Sequence, residues 1–168
     1  MCGLVGYIGN NAVAETLLNG LKNLEYRGYD SAGIALNDNN AIDVFKAKGK
    51  LNNLSTVLAE NSSKLKNTHL GIGHIRWATH GKATIENAHP HLSNDGKLVL
   101  VHNGIIENYL EIKEHLLRQG VTFVSDTDSE VVAQLLEYYY TGDVLEAIQK
   151  VIARVEGLSL IHISEPTR

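Results

Sequence analysis

The sequence has few of the features that would place a chain in a membrane, on a nucleic acid or in an oxidising compartment. Its 168 residues include one cysteine, which cannot form an internal disulfide and agrees with a reducing cytoplasm. There is no basic run and the net charge is −4, so neither a nucleic acid nor an anionic membrane is an evident partner. No stretch has the length of a membrane span, and the first residues lack the charged region and long apolar core of a signal peptide. We therefore expect a cytoplasmic protein.

The composition indicates one globular domain. Of the residues, 43% are hydrophobic and 20% are charged, and a chain of this length can bury a sizeable core. No internal repeat, low-complexity tract or Pro-rich linker divides the sequence. Residues 78–97 form a long irregular segment rich in His, Gly, Asn and Thr, and such segments in compact domains are usually functional.

Apolar residues recur at both strand and helix spacing along the chain. The predicted strands cover residues 2–9, 31–37, 42–49, 70–77, 98–103 and 121–125. The predicted helices cover residues 13–24, 51–58, 108–119, 128–140 and 143–156. Because strands and helices do not alternate strictly, their order predicts a layered α+β fold and not a doubly wound parallel sheet.

Cys2 directly follows Met1, and removal of Met1 before a small residue would make Cys2 the N-terminal residue. One residue would then hold a thiol and a free α-amino group, whose ordinary pKa of about 7.7–8.0 lets it take up a proton near neutral pH. An N-terminal amine can activate a nucleophile without a separate base. Gly3 and Gly6 leave room for a substrate to approach the backbone. The sequence thus predicts a nucleophile at Cys2, the alternative being an inert small hydrophobe.

The first polar cluster, Arg76-Trp77-Ala78-Thr79-His80-Gly81, follows a predicted buried strand. An arginine there can clamp a carboxylate with two parallel hydrogen bonds, and the Thr79 hydroxyl can add a donor. The alternative interpretations are a surface ion pair for Arg76 and a core aromatic side chain for Trp77. This cluster alone does not separate the alternatives.

Two more polar clusters lie at predicted element boundaries. In His102-Asn103-Gly104, the Asn103 amide beside the Gly104 N–H makes a pair of donors suited to a developing oxyanion. A turn is the alternative, because Asn-Gly is a strong turn signal. Asp128 could neutralise a substrate ammonium, or it could be a helix-start carboxylate stabilised by the helix dipole. Thr127 and Glu130 have the spacing of a capping box at this helix.

Histidines crowd the central segment at positions His74, His80, His89, His91 and His102. The His89-Pro90-His91 pair could suggest a metal site. However, Cys2 is the only thiol, no HExxH motif or paired-Cys spacing is present, and acidic ligands are sparse nearby. We therefore interpret these histidines as packing and hydrogen-bonding side chains and predict no metal site.

Several motifs follow one another over residues 1–157: MCGLVGYIG, EYRGYDSAG, HIRWATHG, NAHPH, VHNGIIEN and SDTDSEV. With them the chain closely resembles the glutaminase domains of the glutamine–fructose-6-phosphate aminotransferases. These are class II glutamine amidotransferases of the N-terminal-nucleophile hydrolase superfamily. Related amidotransferases share the Cys-Gly start and the Asn-Gly pair, whereas EYRGYDSAG and RWATHG resemble the fructose-6-phosphate branch. The implied fold is a four-layer αββα sandwich with Cys2 at the edge of the central sheets.

The resemblance implies a role for each candidate residue, with L-glutamine as substrate and no cofactor. Cys2 would be the nucleophile with its own α-amine as the base, and Asn103 with the Gly104 N–H would form the oxyanion hole. The remaining implied roles are binding of the glutamine α-carboxylate by Arg76, Thr79 and His80, binding of the α-ammonium by Asp128, capping of the ammonia exit by Trp77, and ordering of the nucleophile's surroundings by Arg27.

The resemblance stops at Gly157. Residues 158–168 resemble the translation of a common sequencing adapter. We therefore expect 1–157 to be a partial glutaminase domain, incomplete at its C-terminal end, and 158–168 to be a non-native read-through tail. The alternative is a genuine lineage-specific C-terminus.

The resemblance also implies a region that the chain lacks. The isomerase region that takes fructose 6-phosphate in the family would be absent, and the intact protein would be a homo-oligomer. Two other functions stay open. One is a non-catalytic fragment that at most binds glutamine, and the other is the glutaminase domain of a related amidotransferase that forms phosphoribosylamine.

Overall fold

The computed structural model describes residues 2–9, 12–27, 30–38, 41–65, 68–77, 81–157 and 159–164, with all of their side chains except those of Arg27 and 159–164. The strands are β1 (Gly3–Ile8), β2 (Ser31–Asn37), β3 (Ile42–Lys48), β4 (Leu70–Arg76), β5 (His91–Leu92), β6 (Val99–Gly104) and β7 (Ser159–Ser164). The α-helices are α1 (Val13–Lys22), α2 (Leu51–Glu60), α3 (Tyr109–Arg118), α4 (Asp128–Tyr139) and α5 (Val144–Arg154). None of the described helices is long and apolar enough to cross a membrane.

The described strands form two antiparallel sheets. In the first sheet the order is β1-β4-β2-β3, so β4 is paired along both edges, with β1 and with β2. In the second sheet the order is β5-β6-β7. Strand β6 contacts both β1 and β4, which means that the two sheets face each other.

Helices cover the outer face of each sheet. Helix α1 packs on β1 and β4 and α2 packs on β3, with Leu17, Leu21 and Leu54 fully buried in this core. On the other side, α4 packs on β5 and β6 and also contacts both α3 and α5. The layers are therefore helix, sheet, sheet and helix. This arrangement confirms the predicted α+β fold and the αββα sandwich.

The side chains of β6 and the residue before it alternate between two hydrophobic cores, one on each face of the second sheet. Leu98 and Leu100 belong to the core beneath the second set of helices, whereas Val99 and Val101 pack with Ile72 between the sheets. Successive residues of a strand point to opposite faces, so one apolar run supplies both cores. The long apolar run that predicts this strand is thus buried on both sides.

Residues 121–125 are not a strand, so this prediction is wrong. The carboxylate of Glu130, which is 1% exposed, accepts hydrogen bonds from the backbone N–H groups of Val124 (2.8 Å) and Ser125 (2.6 Å) and from the Ser125 hydroxyl (2.6 Å). A side chain therefore takes up the donors that a neighbouring strand would otherwise bind. Thr127 caps α4 as predicted, because Thr127 Oγ1 accepts the N–H of Glu130 at 3.3 Å. The second bond of a capping box is not formed, since the Thr127 N–H donates to Ser125 Oγ at 3.3 Å.

Both neighbours of β6 differ from the sequence interpretation. Strand β5 has only two residues and lies inside the segment predicted to be irregular, too short to leave a periodic signal. Strand β7 lies beyond Gly157 and pairs with β6 along its whole length, from Val99 to Gly104. The division of the chain at Gly157 stays a prediction.

Gly33 in β2 provides the first test of this packing. A Cβ atom there would collide with the carbonyl oxygen of His89 and lie 2.9 Å from that of Phe45, both of which are backbone atoms held by the fold. We expect Gly33→Ala to lower the free energy of unfolding by about 1–3 kcal/mol, measured by urea denaturation. The matched control is Gly20→Ala in α1, where the nearest atom to the added Cβ is Val5 Cγ1 at 2.9 Å, a side-chain atom and not backbone, and where alanine favours the helix. Equal stability of the two variants would contradict this account.

Candidate active site

Cys2 lies immediately before β1, and its sulfur packs against the backbone of Trp77. The Trp77 N–H donates to Cys2 Sγ at 3.2 Å, and Sγ lies 3.5 Å from the Trp77 carbonyl oxygen, which can accept the thiol proton. Strand pairing sets this contact, because Gly3 lies opposite Ile75 near the end of β4. The Trp77 side chain is 53% exposed, so its interpretation as a core aromatic is wrong.

Arg76 ends β4 as a buried cation. It is 4% exposed, so the interpretation as a surface ion pair is wrong. Its Nη1 donates to the carbonyl oxygen of Lys82 at 3.2 Å and lies 3.8 Å from Asp30 Oδ1, while Nη2 donates to the carbonyl oxygen of Gly81 at 3.3 Å. Guanidinium carries five N–H donors in a rigid plane, so these contacts fix the orientation of that plane.

Asn87 connects the Arg76 loop to the segment before α4. Its Nδ2 donates to the same Lys82 carbonyl oxygen at 3.0 Å, and its Oδ1 accepts the N–H of Asp126 at 2.9 Å. The sequence analysis missed this role of Asn87, although the residue begins the NAHPH motif. An asparagine inside an irregular segment gives no periodic signal, and only the folded chain shows which two segments it joins.

Asp128 is the first residue of α4 and is 4% exposed. Its Oδ2 accepts the N–H of Ile106 at 2.9 Å, two residues after the end of β6. The N-terminus of a helix stabilises a carboxylate, so the helix-start interpretation holds. The binding of an ammonium group by Asp128 stays a prediction.

Asn103 and Gly104 are the last two residues of β6, so the turn interpretation is wrong. They pair with Leu160 and Ser159 of β7, and this pairing keeps the backbone extended where an isolated Asn-Gly would turn. The side chain of Asn103 is held from the opposite sheet, because His74 Nε2 lies 2.7 Å from Asn103 Oδ1.

A cluster of four buried imidazoles lies next to these strand ends: His74, His89, His91 and His102. The ring of His74 stacks on that of His89 with centroids 4.2 Å apart, and His91 lies edge-on to His89 at 4.6 Å. His102 Nδ1 lies 2.8 Å from Ser129 Oγ, and His91 Nε2 lies 3.0 Å from Thr127 Oγ1. The cluster thus joins both sheets to the first turn of α4.

Burial sets the charge of these imidazoles. It lowers the pKa of His74 from 6.5 to about 4, and it lowers the pKa values of His89 and His91 well below 6.5. Burial also lowers the pKa of His102, although the carboxylate of Asp128 opposes the shift. The imidazoles are therefore neutral at pH 7. Within the part of the chain that the structure describes, no group of three or more His, Cys, Asp or Glu side chains could hold a metal ion.

A chain of contacts gathers these residues at one end of the sandwich. Cys2 touches Trp77, Arg76 reaches Asp126 through Lys82 and Asn87, Asp128 touches Ile106, and Asn103 touches His74. The predicted site residues that this end contains are Cys2, Arg76, Trp77, Asn103, Gly104 and Asp128. Thr79 and His80 lie outside the described residues, as does the side chain of Arg27, whose backbone ends the 3₁₀ turn Glu25–Arg27.

A separate cavity of about 540 Å³ opens between β3 and residues 85–92. Its lining contains none of the predicted site residues. Lys46 lines it, and burial lowers the pKa of this lysine to about 8 against the opposing charges of Glu130 and Glu86. We assign the candidate active site to the strand ends around Cys2 and not to this cavity.

Comparison with known proteins shows the family of this chain. Residues 44–155, more than half of the chain, match the family described as the glutamine amidotransferase domain. The chain belongs to this family. It is therefore a domain of an enzyme family whose substrate is glutamine.

Two curated relatives show which members of this family the chain resembles. The chain is 55% identical over 157 residues to a protein of Caldanaerobacter subterraneus subsp. tengcongensis, covering 94% of this chain and 25% of that protein. It is 50% identical over 171 residues to a protein of Aquifex aeolicus, covering 100% of this chain and 28% of that protein. Both are named glutamine–fructose-6-phosphate aminotransferase (isomerizing). The chain spans about a quarter of the length of these relatives.

Solved structures of amidotransferases share the fold. The chain matches the glutamine phosphoribosylpyrophosphate amidotransferase of B. subtilis, complexed with ADP and GMP, with a TM-score of 0.79 and 26% identity. The match covers 99% of this chain and 36% of that one. A structure described as the allosteric regulatory enzyme of purine biosynthesis matches with a TM-score of 0.80 at the same identity and coverage. The N-terminal-nucleophile hydrolase fold that the motifs imply is thus confirmed.

The neutral imidazoles predict an unusual sensitivity to acid. An unfolded histidine binds a proton near pH 6.5, but folded His74 binds one only near pH 4, so the unfolded state holds more protons between these values. The free energy of unfolding should therefore be highest above pH 6.5. It should fall as pH drops toward 4, by roughly 1.4 kcal/mol per pH unit for each such histidine. Urea denaturation at pH 7 and pH 5 measures this slope.

A pair of variants identifies the source of the slope. His91→Gln removes one buried imidazole of the cluster and should reduce the slope between pH 7 and pH 5 without abolishing it. His69→Gln removes an exposed imidazole and should leave the slope as it is. Stability that does not change between pH 7 and pH 5 in the unsubstituted chain would contradict the buried neutral cluster.

Proposed function

We propose that this chain hydrolyses the side-chain amide of L-glutamine with Cys2 as the nucleophile. The observation that carries the proposal is the position of the Cys2 sulfur, 3.2 Å from the Trp77 N–H at the end of β4. The adjacent residue, Arg76, is a buried cation, and a chain of hydrogen bonds joins its loop to the segment that leads into Asp128. A thiol, a cation and an anion are thus attached to one end of a rigid fold.

The charges of these groups match those of free glutamine. The substrate has an α-carboxylate, an α-ammonium and a distal amide, so its recognition needs one cation, one anion and donors for the developing oxyanion. In our proposal Arg76 binds the carboxylate through donors of its fixed guanidinium plane, with Thr79 and His80 completing that site. Asp128 binds the ammonium.

The reaction itself would proceed through a thioester. After removal of Met1, the α-amine of Cys2 accepts the thiol proton as sulfur attacks the amide carbon. The Asn103 Nδ2–H and the Gly104 N–H stabilise the oxyanion, the carbon–nitrogen bond breaks, and the amine returns the proton to the departing ammonia. Water then attacks the thioester, which releases glutamate and regenerates the thiol. In this proposal Trp77 caps the path by which ammonia leaves, and Arg27 orders the surroundings of Cys2.

We infer that the complete protein passes this ammonia to fructose 6-phosphate and forms glucosamine 6-phosphate. The inference is supported by relatives of that name at 46–55% identity, whereas the phosphoribosylpyrophosphate enzyme is 26% identical. The acceptor would bind in the part of the protein that lies outside this chain. We further propose a cytoplasmic homo-oligomer. The discriminating assay supplies the intact protein with glutamine and either fructose 6-phosphate or phosphoribosylpyrophosphate and measures which acceptor is aminated.

The role of Cys2 can be tested by covalent labelling. A diazo-ketone analogue of glutamine should alkylate Cys2 alone, and intact-mass spectrometry should show that Met1 has been removed. Cys2→Ser should fold normally but lose most turnover, because a hydroxyl ionises far less readily than a thiol. Cys2→Ala is the control and should take up no label. Labelling at another residue, or full activity of Cys2→Ala, would contradict the proposal. A chain that takes up label but hydrolyses no glutamine would support the fragment interpretation.

The binding and chemical roles should separate in steady-state kinetics. Arg76→Ala and Asp128→Ala remove charges that hold the substrate in both ground and transition states, so they should mainly raise KM for glutamine. Asn103→Ala removes a contact that strengthens in the transition state, so kcat should fall by about 10²–10³. If Asn103→Ala raised only KM, Asn103 would not be an oxyanion donor.

A further inference from the structure

We propose that His74 is a positioning residue for this reaction, holding the Asn103 amide so that its NH₂ group faces the reacting carbonyl of the substrate. The proposal rests on the proposed function. His74 does not reach the substrate itself in this account. It acts from the opposite sheet through the 2.7 Å contact between its Nε2 and Asn103 Oδ1.

The contact matters because the two ends of an asparagine amide have opposite chemistry. Oδ1 accepts hydrogen bonds and Nδ2 donates them, and the two ends have almost the same size. If Oδ1 faces His74, Nδ2 is turned away and can donate to an oxyanion. If the amide rotates by half a turn, Oδ1 would face the oxyanion and repel it. The partner of the amide therefore decides whether Asn103 helps or hinders the reaction.

The position of the proton on the His74 ring selects the orientation of the Asn103 amide that lets Nδ2 face the oxyanion. Among the described residues, His74 Nδ1 is buried and has no hydrogen-bond partner. With the proton on Nε2, that nitrogen donates to Asn103 Oδ1 and only a bare lone pair is left unpaired. With the proton on Nδ1, Nε2 could only accept, and it would face the acceptor Oδ1 at 2.7 Å, so the amide would have to rotate. The Nε2–H tautomer and an inward-facing Oδ1 thus select each other.

The imidazole is also held rigidly enough to do this. His74 is 1% exposed and lies in β4, between Leu4 of β1 and Gly33 of β2. Its ring stacks on His89, and burial lowers its pKa to about 4, so the ring stays neutral at pH 7. A site residue needs such support from packed neighbours to hold a reactive geometry.

The first test reads the tautomer directly. We would label the chain with ¹⁵N at histidine and assign the His74 ring by the signals lost in His74→Gln. At pH 7 the spectrum should show a protonated Nε2 and a bare Nδ1. A proton on Nδ1, or on both nitrogens, would overturn the proposal. This readout needs no turnover, so it still decides the role of His74 if the chain proves inactive and the proposed function fails.

The second test is a double-mutant cycle with glutamine hydrolysis as the readout. His74→Leu should lower kcat by roughly 10- to 100-fold and leave KM nearly unchanged, less than the roughly 10²–10³ expected for complete loss of an oxyanion donor. His74→Gln can place an amide N–H near the position of Nε2 and should restore most of the rate. In the Asn103→Ala background, His74→Leu should have little further effect, because its effect acts through Asn103.

A neighbouring histidine serves as the matched control. His91→Leu removes an equally buried imidazole of the same cluster that bonds Thr127 and not Asn103. Its effect on kcat should multiply with that of Asn103→Ala, as expected for independent sites. If His74→Leu and Asn103→Ala also multiplied, or if His74→Gln were as slow as His74→Leu, His74 would be only a structural histidine.

Discussion

The cluster of neutral imidazoles next to the ends of β4 and β6 is the constraint on which the candidate site depends. Ile72, Val99 and Val101 fill part of the space between the sheets, and His74 follows Ile72 on the same face of β4. His102 lies on the face of β6 that packs on α4, where it contacts Ser129. A buried polar group destabilises a protein unless it is hydrogen-bonded, so each ring contact fixes the position of its partner. Here the partners belong to β6 and the first turn of α4. The imidazoles therefore set how the second sheet and its helices lie against the first.

The candidate residues sit where strands end and a helix begins. Arg76 closes β4, Asn103 and Gly104 close β6, and Asp128 opens α4. Each is tied to another element: Arg76 to the loop at Gly81, Asn103 to His74, and Asp128 to Ile106. These ties have one purpose in our account, which is to hold charges and donors in place before glutamine binds. A preorganised polar site does not need to reorganise when charge develops in the transition state.

The sequence predicts most of the elements because their periodicity reflects burial on one or two faces. The strands over 31–37 and 70–77 and the helix over 128–140 follow directly from such patterns, and the structure confirms them within a few residues. The failures have specific causes. The strand predicted at 121–125 is replaced by hydrogen bonds to Glu130, and the turn that was the alternative interpretation of Asn103-Gly104 is overridden by pairing with β7. In the first case a side chain binds the backbone donors that a strand would have used. In the second case a strand distant in sequence overrides the local preference of Asn-Gly for a turn.

In the site, too, local sequence patterns identify the residues but do not show the contacts between distant segments. Residue types and motifs single out Cys2, Arg76, Asn103 and Asp128, because these chemistries are rare in combination. They do not show that Arg76 is buried or that Trp77 is largely exposed. Nor do they show that Asn87 joins the Arg76 loop to the start of α4, or that His74 touches Asn103. Those relations join segments far apart in sequence, and no pattern within one segment encodes them.

The most direct test of the central claim is a crystal structure of the Cys2→Ser chain with glutamine bound. The account predicts that the side-chain carbonyl oxygen of glutamine lies within hydrogen-bond distance of Asn103 Nδ2 and the Gly104 N–H, next to residue 2. It also predicts that the α-carboxylate contacts Arg76 and the α-ammonium contacts Asp128. Glutamine bound away from residue 2, or bound with Asn103 Oδ1 facing its carbonyl, would contradict the account.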